Sequence, residues 1–225
     1  TTEALDVMDV FTMHDPNNER GTQFRNSIAN YAAVEVRLRE LLAVAQKGEP
    51  VTTAMTLEIA QCYRDLGSNE QAARVLESLV DAEGLTPRQM LDVSTILAAN
   101  GRTAAAVKIL DRLMVQVRTA PLPSEQYLHI AQAFDQCGEY AKIEAPLMYY
   151  LRASQNDWRA WVLLAAAYQH GGQFDRAIAA LQRANEIGRG EAMQAAYQRP
   201  ILRPLLQQAP AQRQSSGLGL PGMKP

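Results

Sequence analysis

Residues 157–184, DWRAWVLLAAAYQHGGQFDRAIAALQRA, read as two short helices folded back on each other across Gly171-Gly172. Trp161, Leu164, Ala165 and Tyr168 fall at i, i+3, i+4 and i+7, one face of a helix. Beyond the glycines, Phe174, Ala177, Ile178, Leu181 and Ala184 form a second apolar face. Small residues stand where the helices would approach most closely: Ala165 on the first, Ala177 and Ala184 on the second. A single hairpin of this kind cannot bury its apolar faces and needs copies of itself.

The copies lie upstream. Gly138 is 34 residues before Gly172, with Tyr127, Ile130, Ala131, Phe134, Tyr140 and Leu147 in the matching places. Gly101 is 37 residues further back, with Met90, Val93, Leu97, Ala106, Leu110 and Leu113. Gly67 is another 34 back, with Ile59, Ala60, Tyr63, Ala72, Leu76 and Leu79. Four units of this period and pattern resemble the tetratricopeptide repeat. The resemblance covers roughly residues 53–191 and is strongest in the last copy, which keeps Trp161, Leu164, Ala165, Tyr168, Gly172, Phe174 and Ala177 in register. Departures occur at Thr56, Ser94 and Ile143, and the repeat's terminal proline is out of register in every copy.

N-cap chemistry supports the same register. Thr52, Thr86 and Asp157 stand just ahead of the first helices of units one, two and four, each with a side-chain oxygen able to accept from a free helical N–H. Thr86-Pro87-Arg88-Gln89 predicts a capping box with proline at the first helical position. In unit three the place holds Pro123, which shifts the expected cap to Ser124. The three extra residues between Gly101 and Gly138 fall most easily in 119–123.

The fold expected is all-α: a right-handed superhelical solenoid of helix-turn-helix hairpins with an N-terminal helical extension and a C-terminal capping helix. The boundaries are 1–52 for the extension, 53–86, 87–120, 124–157 and 158–191 for the repeats, and 192–225 for the capping helix and a low-complexity, proline-rich tail. Within the extension a short helix is expected over Ala4–Met13, ended by the turn chemistry of His14-Asp15-Pro16-Asn17-Asn18. A long helix follows from Thr22 to Lys47, ended at Gly48-Glu49-Pro50. Its stripe of Phe24, Ile28, Tyr31, Leu38, Leu42 and Ala45 suits a cover over the first unit better than a coiled coil, because Glu35 breaks the heptad rhythm. Pro146 is expected to kink the second helix of unit three. After unit four, a helix over Glu191–Tyr197 is cut short by Pro200, and Ile201, Leu202, Leu205 and Leu206 form a small apolar cluster.

Composition bounds the function. With 47% hydrophobic residues the chain can bury a continuous core, and a net charge of −2 gives no general pull toward nucleic acid or an anionic membrane. The longest apolar run, Ala160–Tyr168, is too short to span a bilayer. The sequence opens on Thr1 rather than Met, so residues are expected upstream, with room among them for an anchor or export signal. Cys62 and Cys137 fall two units apart, beyond disulfide reach, and two free thiols fit a reducing compartment without fixing one.

No catalytic or metal constellation is legible, and no cofactor is implied. His14, His129 and His170 are unpaired, and the phosphate-loop, CxxC and Gly-x-Ser-x-Gly patterns do not occur. The surface with information is a stripe about 100° from the packed face of each first helix. In the tetratricopeptide family, that stripe lines a concave groove. Its fifth place holds Leu57, Leu91, Leu128 and Val162, apolar in all four units. Around it lie Gln61, Arg64, Arg88, Thr95, Gln132, Asp135, Arg159, Ala166 and Gln169. The Lys/Asn set with which some family members hold a C-terminal carboxylate does not recur at these positions. An apolar ladder with a polar rim suits an amphipathic helix or an extended peptide with hydrophobic anchors. Two other readings stand beside it: the ladder as the edge of the core, and the groove filled by the chain's own Ile201–Leu206 segment or first helix. Trp158 is either an exposed hot spot or a staple between units three and four. The expected function is a non-enzymatic scaffold or adaptor for a protein partner. The alternatives are an accessory part of an envelope-associated or multi-subunit assembly whose anchor or catalytic part lies upstream, and a self-assembling homo-oligomer.

Overall fold

The computed structural model describes residues 2–14, 18–47 and 50–207, and every regular element among them is helical. The turn residues Asp15–Asn17, Gly48-Glu49 and the low-complexity tail from residue 208 onward lie outside the described residues. The chain divides into two compact units, residues 1–109 and 110–225.

The first unit holds α1 (Thr2–His14), α2 (Glu19–Gln46), α3 (Thr53–Asp65), α4 (Asn69–Glu77) and α5 (Pro87–Ala99); α6 (Thr103–Gln116) has residues in both. The C-terminal half of α2 lays Leu38 and Leu41 on Ile59 and Cys62 of α3, with Val34, Leu42, Met55 and Tyr63 packed around them. This half of the stripe thus packs on the first helix of the first repeat. The N-terminal half of the same stripe behaves differently: Phe24 and Tyr31 are exposed. Arg37 of α2 pairs with Glu58 of α3 at 2.7 Å and holds that carboxyl below its ordinary range, mainly through the hydrogen bond.

The second unit holds α7 (Ser124–Gln136), a 3-10 turn (Tyr140–Lys142), α8 (Glu144–Ala153), α9 (Trp158–His170), α10 (Phe174–Gln198), a second 3-10 turn (Pro200–Leu202) and a helical run over 203–207. Its core gathers Ile130, Phe134, Ile143, Leu147 and Leu164, each at most 1% exposed.

Four turns close alike. Gly67, Gly101, Gly138 and Gly172 have φ of 72°, 74°, 76° and 69°, the left-handed conformation that an L-side chain resists. In each, the N–H one residue past the glycine donates to the carbonyl five residues back: Ser68 to Tyr63, Arg102 to Leu97, Glu139 to Phe134 and Gln173 to Tyr168. This is the helix-ending geometry that satisfies otherwise free carbonyls. The acceptor is the large residue that recurs in every copy, so one position supplies both core packing and turn closure.

Helix starts follow the capping signals with one correction. Thr52, Thr86 and Asp157 accept from Met55, Gln89 and Arg159 N–H, and the Thr86–Gln89 capping box is formed. The expected cap at Ser124 is not: α7 begins on Ser124 itself, with Pro123 as its cap residue and no side-chain cap bond. Pro146 also acts differently from expectation. It does not kink a continuous helix; the helix breaks earlier, into the Tyr140–Lys142 turn and then α8, which puts Pro146 in the first turn of α8, where its missing N–H has no helical partner to lose. Ile143, larger than the alanine of the other copies, fills the break and is fully buried. The expected helix over Glu191–Tyr197 is the distal part of α10, set off by a break at Arg189.

Ion pairs recur between second helices. In the first unit Arg102 pairs with Glu70 at 2.5 Å; in the second, Lys142 pairs with Asp111 at 2.7 Å and Arg176 with Glu144 at 2.8 Å. Each joins residues about one repeat apart, and each is too exposed to contribute more than about 1 kcal/mol. Arg176 adds a cation–π contact, its guanidinium 4.1 Å from the centre of the Tyr168 ring.

Candidate functional site

Each unit has a cleft lined by some of the first-helix positions that the repeat register indicates. In the first unit, Leu57, Gln61 and Arg64 of α3 line a cleft of about 350 Å³ with Gln89, Asp92, Val93 and Ile96 of α5. Arg88, Leu91 and Thr95 do not line it; the face that α5 turns to the cleft is one residue further round than the register placed it. Leu57 is half-buried, whereas Leu91 is 5% exposed and belongs to the core. Arg88 and Thr95 are exposed, and the Thr95 hydroxyl donates to the Leu91 carbonyl. Gln61 donates to Asp65 at 2.7 Å and accepts from Arg64, a polar rim built within one helix.

In the second unit, Leu128, Gln132 and Asp135 of α7 meet Trp158, Arg159 and Val162 of α9 around a cleft of about 540 Å³. All six are positions chosen from sequence. The far wall was not: it consists of Ala195, Gln198, Arg199, Pro200 and Ile201. Arg199 donates from two guanidinium nitrogens to the two carboxylate oxygens of Asp135, at 2.9 and 3.0 Å. The Asp135 side chain is only 18% exposed, so this is the better shielded of the ion pairs around the clefts. Leu202, Leu205 and Leu206 are buried at 0%, 4% and 6% exposure. The chain therefore covers part of its own first-helix face, with residues 199–202 as the cover.

Val162, at 2% exposure, lies beneath this wall, and Leu128 is half-buried. Ala166 is fully buried and offers nothing to a ligand; Gln169 is half-buried and does not line the cleft. Trp158 is half-buried and lines the cleft beside Leu128 and Tyr140. Its indole lies on Gly188 of α10, close enough that a Cβ there would sit 2.4 Å from the ring, and Arg159 stacks on the indole at 4.6 Å. The tryptophan thus shapes the cleft and fixes α10 against α9 at the same time. His170 packs at a tilt on Tyr140, 5.1 Å between ring centres, and His129 is exposed.

The two thiols are free; burial pushes both up from their ordinary range, and neither is poised as a nucleophile. Among the described residues, no group of three or more His, Cys, Asp or Glu side chains is arranged to hold a metal ion, and no helix is long and apolar enough to cross a membrane.

Residues 159–187 match the family model described as tetratricopeptide repeat. Among solved structures, one of MamA aligns with a TM-score of 0.53 at 18% identity, covering 73% of this chain and 88% of that one. A second MamA structure aligns at 0.51, again at 18% identity, covering 73% and 94%. Comparison with curated proteins finds no match. At this identity the likeness to the MamA structures is one of fold.

Proposed function

We propose that this chain of tetratricopeptide repeats is a non-enzymatic interaction module whose first-helix faces hold segments of a protein partner. The observation that carries the reading is the segment already held there: residues 199–202 rest on α7 and α9 through the two-pronged Arg199–Asp135 ion pair and the turn of residues 200–202 packed on α9. A surface that takes up an arginine and an aliphatic run from its own chain has the chemistry to take up a peptide or amphipathic helix. Beside that segment the cleft still offers Leu128 and Trp158 as apolar walls and Gln132 and Arg159 as polar rim. The first unit offers Leu57 in the same helix place, with Gln61 and Arg64 around it. The charged groups of the second cleft are committed to one another or to a ring, Asp135 to Arg199 and Arg159 to Trp158, which suits recognition rather than bond breaking.

The test must use ladder residues that the core can spare. Leu57 and Leu128 are half-buried, so aspartate at either leaves no fully buried charge; at Leu91 or Val162 it would, and the fold itself would suffer. The experiment is capture of a partner from extract of the source organism, identification of that partner, and measurement of its affinity for wild-type and Leu57→Asp/Leu128→Asp chains. The expected result is loss of affinity with circular dichroism and melting retained. Unchanged affinity refutes the placement on these faces. A melting loss of several kcal/mol equivalent would make the leucines structural.

The accessory-part reading draws on the N-terminal hairpin. Val7, Val10 and Met13 of α1 and Phe24 of α2 are each more than half exposed, apolar side chains of the kind that docking within a larger assembly would cover.

A further inference from the structure

Helix α10 is interrupted at one residue. Arg189 has φ 48° and ψ −130°, the conformation glycine ordinarily takes at the first central position of a type II′ turn. It is the sole non-glycine residue with positive φ among those described, and it lies between Gly188 and Gly190. On the near side of the break, Gly188 is pinned beneath the Trp158 indole. On the far side, residues 190–207 form an arm that returns to the α7–α9 face. Its contacts there are the Arg199–Asp135 pair, the cleft wall of Ala195, Gln198, Pro200 and Ile201, and the turn of residues 200–202 on α9; Ala192, Ala196, Leu202, Leu205 and Leu206 of the arm are buried.

We propose that this arm is exchangeable: residues 190–207 of one copy dock on the α7–α9 face of a second copy, making a reciprocal, arm-swapped dimer. Three features carry the inference. The hinge is strained, and the strain vanishes if Arg189 takes ordinary helical angles, which the proline-free run from Phe174 to Gln198 permits. A continuous helix of that length, 25 residues and roughly 37 Å, carries the arm away from its own face. The vacated face then presents Asp135 and an apolar surface that cannot be left in water at no cost, and the arm of a second copy restores every lost contact because it is chemically identical. The occupant is therefore a second copy rather than an unrelated segment, and each copy's site is completed by residues of the other.

Two surface substitutions outside every contact separate this from ordinary association. Arg189→Gly removes the hinge strain of the closed form. Gly190→Ala favours the straight helix, and its Cβ would have nothing within 4 Å in the closed form. Light scattering after gel filtration, on wild-type and both variant chains equilibrated from micromolar to millimolar concentration, reads the populations of the 24.8 kDa chain and of its dimer. With two hinges per dimer, the dissociation constants of Arg189→Gly and Gly190→Ala should differ by roughly tenfold or more, the glycine variant being the weaker dimer. Asp135→Ala weakens the arm contact equally in both forms and should leave the monomer–dimer ratio nearly unchanged. Swapping is further read by mixing two differently tagged dimer pools, which should exchange only as fast as the arm opens. A chain that stays monomeric throughout, Gly190→Ala included, overturns the proposal. So does a dimer whose stability is the same in both hinge variants.

Discussion

Placing a single methyl group at Gly188 tests the packing that fixes α10 to α9. An alanine Cβ there would lie 2.4, 2.6 and 2.8 Å from three ring atoms of Trp158, well inside the 3.4 Å at which ordinary van der Waals contact begins. Overpacking of this kind costs about 1–3 kcal/mol. Against it stands the helix-propensity gain of alanine over glycine, about 1 kcal/mol. In the wild-type background Gly188→Ala should therefore be neutral to destabilising, by roughly 0–2 kcal/mol. In a Trp158→Ala background the clash is gone and the propensity gain remains, so the same substitution should stabilise by roughly 1 kcal/mol. For a chain of this size, that corresponds to a rise in Tm of about 2–4 °C. The assay is thermal and urea unfolding followed by far-UV circular dichroism on the four chains of the double-mutant cycle. A substitution effect of the same sign and size in both backgrounds would show that the indole does not rest on Gly188.

Other expectations follow from the fold. Gly138→Ala should cost about 1–2 kcal/mol from backbone conformation alone, since its Cβ would meet nothing within 4 Å, and Gly138→Asn should cost less; urea midpoints read the order. Phe134→Ala, at a side chain 1% exposed, should cost about 3–5 kcal/mol by the same measurement. Arg176→Ala removes an exposed ion pair to Glu144 and the stacking on Tyr168, a loss of about 1 kcal/mol that salt should reduce only in part. Cys62 and Cys137 should alkylate more slowly in the folded chain near pH 8 than in urea, because burial disfavours the thiolate and hinders access; equal rates would place both thiols in solvent.

What the sequence made legible was local. The turn glycines, the caps at Thr52, Thr86 and Asp157, and the packed face of each first helix depend on residues within one hairpin, and the structure places them as the period indicated. The covering arm was legible only as an option, because nothing local ties Arg199 to Asp135. The break at Arg189 was not legible, because Gly188 and Gly190 flank it and a left-handed conformation is expected at glycine rather than at the arginine between them. At Pro146 the sequence marks an irregularity without its form, because where a helix starts decides whether a proline interrupts it. The groove stripe mixed two kinds of residue, since Leu91 and Val162 share the helical phase of half-exposed Leu57 and Leu128, and Ala166 that of exposed Gln61 and Gln132, but all three are buried. Helical phase tells direction from the axis, and burial depends also on what the chain lays over that direction.

The four alike turns also bear on the order in which the chain acquires its structure. Each closes a bond between residues five apart, Tyr63 to Ser68 or Tyr168 to Gln173, and needs no distant residue to do so. Helical hairpins whose contacts are short in sequence form early and fast, within microseconds to milliseconds. The Asp135–Arg199 pair, joining residues 64 apart, must wait for the hairpins that position both its ends. Pulse-labelled hydrogen exchange should accordingly protect the amides of Ser68, Glu139 and Gln173 before those of the arm, and a chain leaving the ribosome would expose a finished α7–α9 face before its own cover had been synthesised.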